Sequence, residues 1–70
     1  MKKYIVVKHN LMRKQSFYMI HKSHDSWSVD KAQAHKFFFR RTAEKIAKAM
    51  TNKLSPSLSF IVEYRVEEVD

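Results

Sequence analysis

Apolar residues gather at four places along the chain, and the spacing at each place predicts an element. Tyr4, Ile5, Val6 and Val7 fill residues 2–8 between lysines and predict a strand, because β-branched and aromatic side chains suit a pleated surface. Phe17, Tyr18, Met19 and Ile20 mark a second strand over residues 16–22. The polar stretch from His9 to Gln15 makes these two a hairpin, with Asn10 as its left-handed residue in a chain that has no glycine. After the polar turn Ser23-His24-Asp25-Ser26, Trp27-Ser28-Val29 reads as a short strand, and Asp30 caps a single helical turn over residues 31–35. From residue 42 to 53 the period changes: Ala43, Ile46, Ala47 and Met50 recur at i, i+3, i+4 and i+7, the face of a helix. Thr42 is the expected N-cap, Glu44 falls in the first turn where the helix dipole favours a carboxylate, and Ser55-Pro56 stops the helix. Residues 58–66 alternate, with Leu58, Phe60, Val62, Tyr64 and Val66 on one side and Ser59, Ile61, Glu63 and Arg65 on the other.

The order β-β-(β)-α-β predicts an α+β fold in which one main helix, about 42–53, packs on one face of a small antiparallel sheet. At 70 residues the chain is a single domain, 1–70. Ala43 and Ala47 let the helix lie close, and Phe60, Val62 and Tyr64 are the expected sheet-side contacts. Ile61, one face of the first strand and part of the second then point outward, as an apolar sheet face that invites a partner.

Composition narrows the function. With no Cys, no Gly and one Pro, the chain cannot build a disulfide scaffold, a thiolate zinc site, a cysteine nucleophile or a glycine-rich phosphate loop. Hydrophobic residues make up 44% and aromatics 13%, enough for a core and against disorder, yet a core this small leaves little room for a deep substrate pocket. No apolar run approaches the ~18 residues of a membrane span. The apolar stretch after Met1-Lys2-Lys3 is shorter than the about 7–15 residues of a signal-peptide core. The expectation is a cytoplasmic protein with no membrane partner.

Candidate chemistry is sparse. His21-x-x-His24-Asp25, with His9 and His35 elsewhere, resembles a metal grouping, but zinc needs three or four converging ligands, and surface histidines are the expectation. Ser23, His24 and Asp25 are sequence neighbours in a turn, whereas a catalytic triad draws its members from separate segments. The carboxylates gather near the chain's end and form no acid–base pair. The expectation is therefore a protein that is not an enzyme and has no cofactor and no metal.

Charge is more informative. The formal charge is +7, and it is uneven: residues 1–53 carry 13 Lys/Arg against 3 Asp/Glu, whereas residues 54–70 carry Arg65 against Glu63, Glu67, Glu68 and Asp70. Arg41, Lys45 and Lys48 fall at i, i+4 and i+7 opposite the apolar helix face, with Arg40 before them and Lys36 nearby. A row of cations at helical spacing suits a phosphate backbone or an acidic protein surface; its plainer reading is a solvated helix face. No helix-turn-helix pair and no glycines of an RNA-recognition sheet are present, so nucleic-acid binding would be backbone-led and salt-sensitive. Alternation cannot bury all of Phe37, Phe38 and Phe39 in a one-sided sheet, which makes these three, with Ile61, candidates for a protein interface or base stacking. The plainer alternative is that the segment crosses the edge of the core and all three are mostly covered.

From about residue 16 to 66, the chain resembles a broad group of small proteins encoded by tailed bacteriophages. The shared pattern is a short hairpin, a Trp, an Ala and Phe, an Ala-rich helix and a last strand. It falls here on Phe17-Tyr18-Met19-Ile20, Trp27, Ala34, Phe37, Ala43, Ala47 and Phe60-Ile61-Val62. The chain departs from the group in lacking glycine at its turns and in its high positive charge. The resemblance implies an accessory factor that blocks or redirects a host machine, in the host cytoplasm. Three readings follow: a basic accessory protein binding nucleic acid or a nucleic-acid-handling host complex; an inhibitor of a host or anti-phage defence enzyme, of the anti-CRISPR kind, docking on an acidic surface; and a homodimer joined through the apolar sheet face.

Overall fold

A computed structural model describes residues 2–21, 26–58 and 60–69. The elements are β1 (Lys3–Asn10), β2 (Gln15–Met19), β3 (Trp27–Ser28), a 3-10 turn (Lys31–Gln33), α1 (Arg40–Lys53) and β4 (Val62–Val69). They form the expected α+β fold: a four-stranded antiparallel sheet, in order β3-β2-β1-β4, with α1 across one face.

β1 is the central strand, as its run of β-branched residues demands. It pairs with β4 along its whole length, from Lys3↔Val69 to Asn10↔Val62, but with β2 only from Val7↔Tyr18 to Asn10↔Gln15. The vacant stretch of its edge is taken by the segment that leads into α1. Tyr4 and Phe37 exchange both backbone hydrogen bonds, at 2.9 and 2.7 Å, and the His35 N–H donates to the Met19 carbonyl at 2.8 Å. This stub of strand fixes where the helix begins.

Several boundaries differ from expectation for local reasons. Phe39 is still extended (φ −117°, ψ 130°) as it leaves the bridge, so α1 starts at Arg40, and Phe39 is an N-cap that makes no side-chain cap bond. Thr42 therefore lies inside the helix and Glu44 beyond its first turn. The last strand begins at Val62 rather than at residue 58. The N–H groups of Leu58, Ile61 and Val62 are bonded back to the carbonyls of Ser55, Leu58 and Leu58, which holds this stretch in turns despite its apolar alternation. Phe60 is accordingly 81% exposed, whereas Tyr64 packs against the helix side as expected and is joined by Val66. In the hairpin, Lys14 rather than Asn10 takes the left-handed conformation (φ 53°). Asn10 instead braces the turn, its Oδ1 accepting from the N–H groups of Met12 at 3.1 Å and Arg13 at 3.0 Å. β2 ends at Met19, short of the expected residue 22.

Both faces of the sheet are packed. On the helix side Val6, Met19, Phe37, Ala43 and Ala47 form the main core, joined by Tyr4, Trp27, Ile46, Met50, Tyr64 and Val66. The small Ala43 and Ala47 let α1 approach closely. The other face of β1, expected to be open, is covered: Ile5 and Val7 are 1% and 0% exposed and cluster with Ala34, Tyr18 and Val69. Ala34 reaches them because the 3-10 turn doubles the chain back. That turn is capped as expected by Asp30, whose Oδ1 accepts from the Ala32 N–H at 3.0 Å. Burying Ile5 and Val7 contributes about 1.5–3 kcal/mol each. Among the described residues, no helix is long and apolar enough to cross a membrane.

Candidate functional site

The periodicity that buries Ala43 and Ala47 turns the opposite side of α1 to solvent, and Arg41, Lys45 and Lys48 occupy it, all exposed. Seven residues of helix separate the first from the last, a rise of about 10 Å. None of the three has an ion-pair partner among the described residues. The described carboxylates of the final segment do not pair with them. Glu63 and Glu67 alternate with helix-facing Tyr64 and Val66 and so point to the far side of the sheet. Glu67 pairs there with Lys31 at 3.4 Å, and Glu68 pairs with Lys2 at 3.7 Å.

Arg40 lies on the flank of the helix, its Nε 2.9 Å from Glu44 Oε1 in an exposed i, i+4 pair. Such a pair stabilises by only about 0.3–0.5 kcal/mol and leaves the guanidinium able to switch partners. Lys36 comes from the stub of strand, exposed, two residues before the bend into the helix. The five candidate cations thus divide into three on the outer helix face, one on its flank and one on the segment before it.

The three phenylalanines part company. Phe37 is 5% exposed and belongs to the core, not to an outer surface as an interface residue would, because its bridge to Tyr4 places it on the helix side of the sheet. Phe38 and Phe39 are 65% and 72% exposed. Beside them, between this segment and the first two turns of α1, lies an open cavity of about 350 Å3 lined by Lys36, Phe37, Phe38, Phe39, Thr42 and Ile46. His35 closes one side, its ring edge-on to Phe37 at 4.6 Å. Ile61 does not join this group. It is half-buried in the turn at the other end of the helix, its carbonyl accepting from the Leu11 N–H at 2.7 Å.

Two cations bear on aromatic rings that sequence reasoning did not connect to them. Lys3 Nζ lies 5.5 Å from the Phe38 ring centroid, and Lys8 Nζ lies 4.8 Å from that of Trp27 and 5.7 Å from that of Phe17. The second contact follows from the register Lys8↔Phe17, which the hairpin sets. The first needs the Tyr4–Phe37 bridge, a non-local pairing without a sequence signal.

The histidines do not assemble into a site among the described residues. His9 Nδ1 is 2.9 Å from Ser16 Oγ, whereas His35 sits against Phe37 on the helix side of the sheet. His24, with Ser23 and Asp25, lies outside the described residues. Among those described, no three His, Cys, Asp or Glu side chains converge as a metal site would need. No protein-family model, curated protein or solved structure matches this chain.

Proposed function

We propose that this is a non-enzymatic basic accessory protein, of the kind tailed phages encode, that binds nucleic acid in the host cytoplasm, either directly or within a nucleic-acid-handling complex. The supporting observation is the outer face of α1. Arg41, Lys45 and Lys48 are exposed, aligned and without carboxylate partners among the described residues. Cations held this way attract phosphates and release their condensed counterions, which makes affinity salt-dependent and largely independent of sequence. Arg40 and Lys36 extend the row at its N-terminal end.

The test is a titration of labelled oligonucleotides at about 50 mM salt, a regime in which phosphate contacts dominate. Replacing Arg41, Lys45 and Lys48 together by Ala is expected to lower affinity about tenfold or more for every sequence. Undetectable binding of both duplex and single strands by the unaltered protein would end the proposal.

A second reading draws on exposed Phe38 and Phe39, which suit the anchors of an inhibitor docked on an acidic protein surface. Nuclease treatment during a pull-down separates the two. A stoichiometric protein partner that survives nuclease supports the inhibitor, and material lost on treatment supports nucleic-acid binding.

A further inference from the structure

We infer that the nucleic acid is single-stranded, with an unpaired base stacked on Phe39 and Phe38 in the cavity at the start of α1 and the adjoining phosphates on Arg41, Lys45 and Lys36. The inference rests on the nucleic-acid reading above and names the form of ligand that reading leaves open. Its ground is a juxtaposition. Two exposed phenylalanines and an apolar cavity of about 350 Å3 lie within two helical turns of the unpaired Arg41 and Lys45.

A duplex suits such a cavity less well than a single strand does. Its bases are stacked inside and offer a protein only their groove edges, so no base face is free to enter the cavity unless a step is first unstacked at a cost in energy. A single strand presents both chemistries at once, a charged backbone and free π-faces, and proteins that hold it combine a cationic track with aromatic platforms. The cavity lies at the lower end of the about 300–1,000 Å3 range of ligand sites, suited to a single flat ring system. Phe37 and Ile46 give it an apolar floor, while Lys36 and the Thr42 side chain supply polar groups at its wall. Lys3, 5.5 Å from the Phe38 ring, adds a further cation beside one wall of the cavity.

Phe39 carries a second, independent argument. It stands at the N-cap of α1, where Ser, Thr, Asp or Asn would satisfy a free backbone N–H, and it makes no cap bond. Its side chain is also mostly outside the core. What sets Phe39 apart from the other exposed apolar residues is its place on the cavity wall, where its ring is available to a ligand.

Three labelled 12-mers decide the matter: oligo-dT, an abasic strand of equal length, and a matched duplex. The unaltered protein is expected to bind oligo-dT about 5- to 150-fold more tightly than the abasic strand, the range for one stacked base. Phe39→Ala should remove most of that ratio while leaving affinity for the abasic strand unchanged. The Arg41/Lys45/Lys48 alanine variant should weaken both strands and keep the ratio. Equal affinity for oligo-dT and the abasic strand, or tighter binding of the duplex, would overturn the inference while the phosphate-binding reading stood. Failure to bind any of the three would remove both. A second copy of the chain seated in the cavity would appear in light scattering as a dimer that Phe39→Ala dissolves, with no preference for oligo-dT, and would also overturn it. The comparison of strands uses the unaltered protein, so it does not depend on how any variant folds.

Discussion

Phe37 sits against Val6 and Ala43 in the main core, while Phe38 and Phe39, next in the chain, stand in solvent beside a cavity. One side-chain chemistry therefore serves two purposes, and substitution should separate them. Phe37→Ala leaves a core cavity and is expected to cost about 3–5 kcal/mol. A chain this short has roughly 0.05–0.15 kcal/mol of stability per residue, so that loss consumes much of the total. Phe38→Ala and Phe39→Ala should stay within about 0.5 kcal/mol of the parent, as surface changes do. Urea denaturation of the three variants gives the comparison. A large loss at Phe39 would mean that the ring braces the fold and is not held out for a ligand.

At the scale of the element, the start of α1 breaks local rules. It has no side-chain cap, no carboxylate in its first turn, and two arginines where the helix dipole is already positive. Natural sequences keep such conflicts chiefly where function requires them. Phe39→Ser should supply the missing cap and stabilise the protein by about 0.5–2 kcal/mol, while weakening single-strand binding. Thermal melts run beside oligo-dT titrations would show opposite changes; a fall in stability with unchanged binding would contradict this account of the helix start. The same element shows what the sequence makes legible. Its buried and outward faces follow from periodicity alone, since Ala43, Ile46, Ala47 and Met50 leave only one side for Arg41, Lys45 and Lys48. Its first residue does not, because the Tyr4–Phe37 bridge, a contact between distant segments, determines where the extended chain ends. The cavity depends on that bridge too. The start of β4 was obscured differently: Leu58 and Phe60 continue the strand's alternation, yet backbone turns hold them out of the sheet. The covered far face of β1 was also hidden, because nothing in the spacing of residues 31–34 says which face of the sheet the 3-10 turn will cross.

Over the whole molecule, cations concentrate on the helix, where α1 carries Arg40, Arg41, Lys45, Lys48 and Lys53 against Glu44. The sheet face opposite α1 is mixed, with Glu63 and Glu67 accompanied by Arg65 and by Lys31, which pairs with Glu67, whereas the unpaired cations project from the outer surface of the helix. The radius of gyration is 11.6 Å, near the about 11 Å of a compact chain this long, so these two surfaces lie on opposite sides of a small body. An asymmetry of this kind orients an approaching polyanion toward the helix and raises its rate of encounter.

The dependence of single-strand affinity on salt tests the cationic helix face most directly. Each phosphate contact contributes about −0.7 to the slope of log affinity against log salt for a single strand, so three to five contacts give a slope of about −2 to −3.5. Replacing Arg41, Lys45 and Lys48 by Ala should make that slope shallower by about 2. A slope near zero in the unaltered protein, or one that the three substitutions leave unchanged, would contradict the account.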